Sequence, residues 1–234
     1  MSDWSLEGMR EGKVLPVDKP LDWTSFDAVN KIKLTIRRQH KIKKFKVGHA
    51  GTLDPRATGL LIICIGRATK TIPELMGQAK RYVATIKLGE TTPSYDTESE
   101  PDQQFPTDHI TMESVENILP QFIGEIQQVP PIFSALKKDG KRLYEMARAG
   151  KEVEVSARPI TIHSIDILSL ENDILTIDVK CGKGTYIRSL AHDIGKALNS
   201  GAYLLELRRT EIGDWNVADA LQVDDICEAI RQAD

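Results

Sequence analysis

Two neighbouring segments in the last third of the sequence set the strongest limit on the fold. From Leu175 to Cys181, apolar and polar residues alternate strictly, which is the pattern of a half-buried β-strand. The apolar-rich segment 160–170 lies just before it, and Glu171-Asn172-Asp173 between them has the composition of a tight turn. The sequence therefore predicts a β-hairpin over residues 160–181.

The remaining periodic segments mix strands with helices. Apolar-rich segments of strand length occur at 14–17, 60–65, 82–88 and 203–207, and 46–49 could be a strand that enters a glycine-rich turn. Helical spacing of apolar residues starts after Thr24, after Thr111 and at Ile187, with a last short helix at 226–230. Because strands and helices do not alternate regularly, we predict an α+β fold with a mixed, largely antiparallel central sheet flanked by helices.

Length and composition are those of a globular protein. The chain has 234 residues, of which 41% are hydrophobic, enough for one domain over 1–234 with a sizeable core. No apolar run reaches the roughly 18 residues of a membrane-spanning helix. The first ten residues are polar and acidic, unlike a signal peptide. We therefore expect a cytoplasmic protein.

The cysteines and motifs give no sign of a metal or a cofactor. Cys64, Cys181 and Cys227 are far apart, and none belongs to a Cys-x-x-Cys pair. The sequence also has no dinucleotide-binding fingerprint and no phosphate-binding Walker loop. The expectation is a protein that needs neither metal nor cofactor.

Positive charge is concentrated although the formal net charge is −3. Eight basic residues and no acidic residue lie between Lys31 and Lys46, and these include Lys41, Lys43 and Lys44. A second basic group contains Lys137, Lys138, Lys141 and Arg142. Such a stretch is consistent with a solvated helix face or with a surface that binds the phosphates of a nucleic acid.

The segment with the most chemical character is GHAGTLDPRATGLL, residues 48–61. Its three glycines permit tight turns, and Pro55 drives Asp54 towards an extended conformation. His49 lies five residues before that aspartate. Asp54 is therefore either a structural cap in a turn or a reactive carboxylate held on a stiff loop.

This segment resembles the catalytic motif of the TruB-type tRNA pseudouridine synthases. Five further segments resemble motifs of that family in the same order, and together they extend from Val17 to about Gly213. They are VDKP with Thr24-Ser25; KRY at 80–82; QVPP through SALK and GKRLY at 128–144; GTYIRSL at 184–190; and LRRT at 207–210.

The resemblance implies a pseudouridine synthase fold and the isomerisation of uridine to pseudouridine at position 55 in the T-loop of tRNA. It implies a flipped-out base, no cofactor and a monomer that binds the T-arm. Residues 127–155 would form a mobile insertion that grips the RNA. The chain ends at Asp234, where family members often continue into a PUA domain, so we expect none.

The resemblance also implies roles for single residues. Asp54 would be the essential catalyst, by a covalent or an elimination route. Arg188 would be its counter-ion and Tyr82 the ring that stacks on the base. RNA contacts would come from the remaining matched and basic residues: His49, Lys19, Tyr186, Leu207, Lys41, Lys43, Lys44, Lys137, Lys141 and Arg142.

An argument from the residues supports a buried partner for Arg188. An arginine in the first turn of a helix opposes the helix dipole, so an acid should lie nearby, and Asp54 fits that need. Two alternatives remain open. The chain could be a non-catalytic RNA-binding module on the same scaffold, or a synthase subunit that depends on a guide RNA.

Overall fold

The computed structural model describes residues 3–134, 137–138, 141–142 and 155–233. The chain forms two compact units. The first unit comprises Met1–Tyr82 and Leu207–Asp234, and the second comprises Val83–Glu206.

The described helices are α1 (Leu6–Glu11), α2 (Ser25–Gln39), α3 (Ile72–Gly77), α4 (Met112–Ile118), α5 (Ile187–Ala197) and α6 (Val223–Gln232), with 3₁₀ turns at Gly66–Thr71, Leu119–Phe122 and Val217–Asp219. The strands are β1 (Lys13–Lys19), β2 (Val47–His49), β3 (Ala57–Ile65), β4 (Lys80–Leu88), β5 (Glu90–Thr91), β6 (Gln103–Gln104), β7 (Gly124–Gln128), β8 (Lys137–Lys138), β9 (Lys141–Arg142), β10 (Arg158–Glu171), β11 (Ile174–Cys181), β12 (Ala202–Ile212), β13 (Trp215–Asn216) and β14 (Leu221–Gln222).

Among the described residues, the large sheet has ten strands and is mixed. In the first unit β3 pairs antiparallel with β1 and β2, and parallel with β12. In the second unit β10 pairs antiparallel with β11 and with β7. Because antiparallel ladders predominate and helices flank the sheet, the predicted α+β class is confirmed.

Strand β3 is buried on both faces, which explains its continuous apolar sequence. Leu61, Ile63 and Ile65 belong to the core shared with α2 and α6. Leu60, Ile62 and Cys64 belong to a second core with Leu75 and Ile212. Burying each large aliphatic side chain contributes roughly 1.5–3 kcal/mol, so this strand anchors the first unit.

Helix α2 begins after Thr24, where the sequence predicts a helix, and its first turn is closed by a capping box. The Thr24 hydroxyl accepts from the Asp27 amide at 3.1 Å, and the Asp27 carboxylate accepts from the Thr24 amide at 2.9 Å. Val29, Ile32 and Ile36 are buried as expected, but Phe26 is 65% exposed. Helical spacing after Thr24 predicts Phe26 on the same inward stripe, and that prediction was wrong, although Ser25 and Ala28 in the same turn are buried.

The second unit contains the predicted hairpin. Strands β10 and β11 pair from Ile162 with Cys181 to Glu171 with Ile174. Asn172 lies in the turn with φ 52°, a left-handed conformation that asparagine tolerates. Residues 89–108 were predicted as loop, but they contain the short antiparallel pair β5–β6.

The described helices are all too short or too polar to cross a membrane. Cys64, Cys181 and Cys227 are buried free thiols.

Candidate active site

The loop that carries Asp54 is fixed to the start of α2. The Leu53 amide donates to Ser25 Oγ at 2.8 Å, and the Ser25 hydroxyl donates back to the Leu53 carbonyl at 3.0 Å. Both residues are buried. One hydroxyl therefore satisfies both backbone groups of the residue directly before Asp54.

Arg209 holds the same loop from β12. Its guanidinium donates from Nε to the Leu60 carbonyl at 2.7 Å, from Nη1 to Thr52 at 3.3 Å and from Nη2 to Gly51 at 3.2 Å. The side chain is 1% exposed. The planar fork of arginine thus links both ends of the loop, and the three carbonyls satisfy a buried cation.

Gly59 allows β3 to approach β12 at the end of this loop. It has φ +101°, and an added Cβ would lie 2.3 Å from the carbonyl oxygen of Arg209. A side chain there would have to displace backbone atoms. Glycine is therefore required at this position.

Asp54 is partly exposed between these anchors. Its carbonyl accepts from the Ala57 amide at 3.0 Å, and the next carbonyl, of Pro55, accepts from Asp22 at 2.9 Å. The carboxylate is thus presented on a loop whose backbone is tied down on both sides. Such an arrangement suits a group that must meet a substrate in one orientation.

Lys19 is a buried cation beside Asp54. Burial lowers the pKa of Lys19 to about 8, while the nearby negative charge of Asp54 opposes that shift. Its ammonium donates to the carbonyls of Pro20 at 2.8 Å and Trp23 at 2.6 Å. These contacts give Lys19 an architectural role and a favourable charge next to the carboxylate; an RNA contact for it stays a prediction.

Three further predicted residues lie in the first unit. Tyr82 is buried on β4. Leu207 on β12 is opposite Ala57 in the parallel ladder, and Ala57 is the first residue of β3 after the Asp54 loop. His49 on β2 is opposite Ile63, and burial is the main reason that its pKa is lowered. A neutral imidazole at this position suits stacking better than an ionic contact.

Arg188 lies in the second unit near the start of α5 and is 4% exposed. Its Nη1 is 3.4 Å from Asp96 Oδ2 and donates to the Phe133 carbonyl at 3.1 Å. The acid expected near this arginine is thus present as Asp96, which the sequence reasoning missed. The ion pair of Arg188 with Asp54 stays a prediction.

The segment around Asp96 is closely hydrogen-bonded. The hydroxyls of Thr92 and Ser94 donate to the Asp96 carbonyl at 2.8 Å and 3.2 Å, and the Glu98 amide donates to Asp96 Oδ1 at 2.9 Å. Asp96 itself is buried. These local hydrogen bonds orient the Asp96 carboxylate towards Arg188.

The start of α5 is also tied to the predicted insertion. Tyr186 donates its amide to Gln128 Oε1 at 2.9 Å, and Gln128 Nε2 donates to the Tyr186 carbonyl at 3.1 Å. Ser189 Oγ donates to the Val129 carbonyl at 2.8 Å. Gln128 and Val129 thus contact the start of α5, while most of 135–154 lies outside the described residues.

A strongly basic cavity of about 750 Å³ opens in the first unit. Lys43 and Lys44 line it as part of the predicted basic stretch, and Lys41 is not among its lining residues. The rest of its lining comes from α1, α2 and the segments before β2 and after β3: Arg10, Lys33, Arg37, Phe45, Lys46, Gly66, Arg67, Thr69 and Lys70. We call this the basic cavity. No carboxylate belongs to its described lining.

The second predicted basic group is described only in part. Lys137 pairs with Arg142, and Lys138 with Lys141, in the short ladder β8–β9. The side chains of these residues lie outside what the structure describes, so their RNA contacts stay predictions. Among the described residues no group of three or more His, Cys, Asp or Glu is placed to hold a metal ion.

Comparison with protein families gives two matches that adjoin along the chain. The N-terminal domain of the TruB family pseudouridylate synthases matches residues 37–187. The C-terminal domain of tRNA pseudouridylate synthase B matches residues 188–234.

Curated relatives match over most of their length. The tRNA pseudouridine synthase B of Flavobacterium johnsoniae is 58% identical over 91% of this chain and 93% of that protein. The protein of the same name from Parabacteroides distasonis is 53% identical over 94% of each chain. The one from Chlorobium luteolum is 47% identical over 94% of this chain and 76% of its own.

Two solved structures with a similar fold come from H/ACA ribonucleoprotein complexes. An archaeal box H/ACA sRNP Nop10–Cbf5 complex contains a chain with a TM-score of 0.66 and 27% identity, covering 95% of this chain. An H/ACA RNP bound to a substrate RNA containing 2'-deoxyuridine contains a chain with a TM-score of 0.68 and 26% identity, covering 96% of this chain. This chain spans about half of those two chains, 54% and 55%.

Proposed function

Because this chain belongs to the TruB family of pseudouridylate synthases, we propose that it converts uridine to pseudouridine in tRNA, at position 55 of the T-loop. The observation that carries the proposal is the partly exposed Asp54 on a loop anchored by Ser25 and Arg209. Reactive carboxylates require that kind of fixed presentation.

The reaction breaks the bond between N1 of uracil and C1′ of the ribose and forms one between C5 and C1′. The hydrogen on C5 is lost and N1 gains one, so atoms balance without a redox partner. Asp54 is the proposed catalyst, either as a nucleophile or as support for cleavage and reattachment. Tyr82 is proposed to stack on the base, and Arg188 to supply the counter-charge.

Recognition would rely on RNA shape and on phosphate contacts. The basic cavity supplies a dense set of cations for the backbone, including Lys43 and Lys44. Extruding a base costs a few kcal/mol of stacking, and the His49 ring is proposed to fill the gap. Tyr186 and Leu207 would line the pocket of the extruded base.

The insertion 127–155 is proposed to close over the T-arm. Hydrogen exchange with and without T-arm RNA measures this, and equal protection in both states would contradict it. We further propose a cytoplasmic monomer without an obligatory protein partner. Light scattering of the purified protein tests the monomer.

The experiment for the activity is incubation of purified protein with unmodified T-arm RNA, followed by carbodiimide mapping of pseudouridine. Asp54→Asn should abolish product while RNA binding is retained. Asp224→Asn, at a surface ion pair with Lys31, is the matched control and should leave turnover unchanged. A folded protein that makes no pseudouridine would overturn the proposal.

The likeness to chains of H/ACA complexes makes a guide-dependent subunit the second candidate. Product formation on a bare T-arm, with no guide RNA or second protein, would exclude it. A non-catalytic binding module would show the opposite result: RNA binding without product, and no effect of Asp54→Asn.

A further inference from the structure

Helix α5 contacts the segment 95–96 twice, at positions one turn apart. Arg188 pairs with Asp96 at 3.4 Å. Four residues later, the His192 ring stacks on the ring of Tyr95, with 3.9 Å between centroids and 14° between planes. Residues four apart lie on one helix face, so one face of α5 holds two consecutive residues of the segment.

Tyr95 occupies an unfavourable backbone conformation. Its φ is +63°, in the left-handed region that residues other than glycine rarely adopt. Two backbone hydrogen bonds support it: the Tyr95 amide donates to Thr92 at 3.1 Å, and its carbonyl accepts from Leu204 at 2.9 Å. Strained residues of this kind persist only where their surroundings hold them.

We propose that the Tyr95–His192 stack is a positioning device for the Arg188–Asp96 pair. By clamping the residue before Asp96 onto α5, it fixes the distance between the carboxylate and the guanidinium. This inference rests on the proposed function, in which Arg188 is the counter-ion of the catalytic aspartate. Tyr95 and His192 are positioning residues because they act through that pair.

An acid–base role for His192 is a poorer fit to its surroundings. The pKa of His192 is lowered to about 4, mainly by burial and also by the charge of Lys196, while the charge of Asp102 partly opposes this shift. Asp102 and Asp193 both raise the pKa of Tyr95 in addition to burial. Both rings are therefore neutral near pH 7, and packing of two neutral rings is what they offer.

The test measures the single-turnover rate constant at saturating T-arm RNA, together with the Kd for that RNA. Tyr95→Phe and His192→Phe keep two stacked rings and should stay within about twofold of the parent rate. Tyr95→Ala should slow the reaction roughly ten- to a hundredfold with Kd unchanged, since small displacements of positioned groups have effects of that size.

The control is His109→Ala. His109 Nε2 is 2.8 Å from the Leu198 carbonyl at the end of α5, so its loss disturbs that helix without touching 95–96. It should lower the melting temperature and leave the rate constant unchanged. If Tyr95→Ala does not fold, Tyr95→Gly replaces it, because glycine relieves the left-handed strain while removing the ring.

A double-mutant comparison tests whether the stack acts through Asp96. In an Asp96→Asn background, Tyr95→Ala should slow the reaction by no more than about twofold. The inference would be overturned if the rate effects of Asp96→Asn and Tyr95→Ala multiplied in the double variant, or if Tyr95→Ala changed only the Kd. It would also be overturned if Tyr95→Phe were as slow as Tyr95→Ala. An inactive parent protein would instead defeat the proposed function, and an active parent with a fully active Tyr95→Ala would defeat only this inference.

Discussion

At the scale of single residues, three buried cations hold the functional loops. Lys19, Arg188 and Arg209 are each less than 5% exposed. Each donates to backbone carbonyls, and Arg188 also pairs with a carboxylate. A buried charge is tolerated only when such partners replace water, so these residues constrain the backbone that surrounds them.

Asp96→Asn is predicted to lower both stability and turnover. The change leaves Arg188 buried without its acidic partner, and breaking a buried pair costs about 3 kcal/mol. Urea denaturation measures the free energy of unfolding. Asp22→Asn, which breaks the exposed pair with Arg56, is the control and should cost no more than about 1 kcal/mol. Equal losses in both variants would contradict the buried-pair account.

Arg209→Lys is predicted to slow the reaction and to destabilise the protein by about 2 kcal/mol, because one ammonium does not reach three carbonyls with the geometry of the guanidinium fork. Arg208→Lys is the neighbouring control. Arg208 pairs with Asp18 at 2.8 Å and is 42% exposed, so its replacement should have little effect. Full activity of Arg209→Lys would show that the loop needs no such anchor.

At the scale of elements, β3 combines a two-sided core with a close approach to β12. Gly59→Ala is predicted to reduce the yield of folded protein severely, because its Cβ would meet backbone only 2.3 Å away. Gly77→Ala, at the end of α3 with no atom within 4 Å of an added Cβ, should fold normally. Circular dichroism melting curves compare the two variants.

Helix α5 should make stability depend on pH through His192. The folded pKa is lowered from 6.5 to about 4, so in this window the unfolded chain binds a proton that the folded chain does not. Stability is therefore present above about pH 6.5 and is lost as the pH falls towards 4, by at most about 1.4 kcal/mol per pH unit.

Urea denaturation of parent and His192→Phe at pH 7 and pH 4.5 checks this prediction. The variant should lose less stability on acidification. His163→Phe removes an exposed ring and should follow the parent. Identical pH dependence of His192→Phe and the parent would show that the ring does not contribute.

At the scale of the whole molecule, a net charge of −3 coexists with a cavity lined by eight basic side chains in the first unit. We predict that Lys43, Lys44 and Lys70, changed together to Gln, weaken RNA binding. The slope of log K against log salt should fall by about two to three, because each phosphate contact contributes roughly 0.7–0.9.

Lys41→Gln is the matched control for this salt dependence. Lys41 is exposed and belongs to the same basic stretch, but it does not line the basic cavity. If the RNA lies at the basic cavity, this replacement should leave the slope unchanged, whereas a phosphate contact by Lys41 would lower it by roughly 0.7–0.9. A triple variant with the slope of the parent protein would place the RNA elsewhere.

The sequence alone predicted the main helices and strands, because their signals are local. The capping box of α2, the β10–β11 hairpin and the buried run of β3 follow from residues that are neighbours in the chain. The resemblance also predicted roles for Asp54 and Arg188, since a motif is a local pattern. Only the tertiary structure decided their partners. Arg209 donates a hydrogen bond to Gly51, 158 residues away in the sequence. Asp96, which pairs with Arg188, lies in a polar segment that the sequence predicted only as loop. Such pairs form when distant strands and helices pack together, and no periodicity along the chain encodes them.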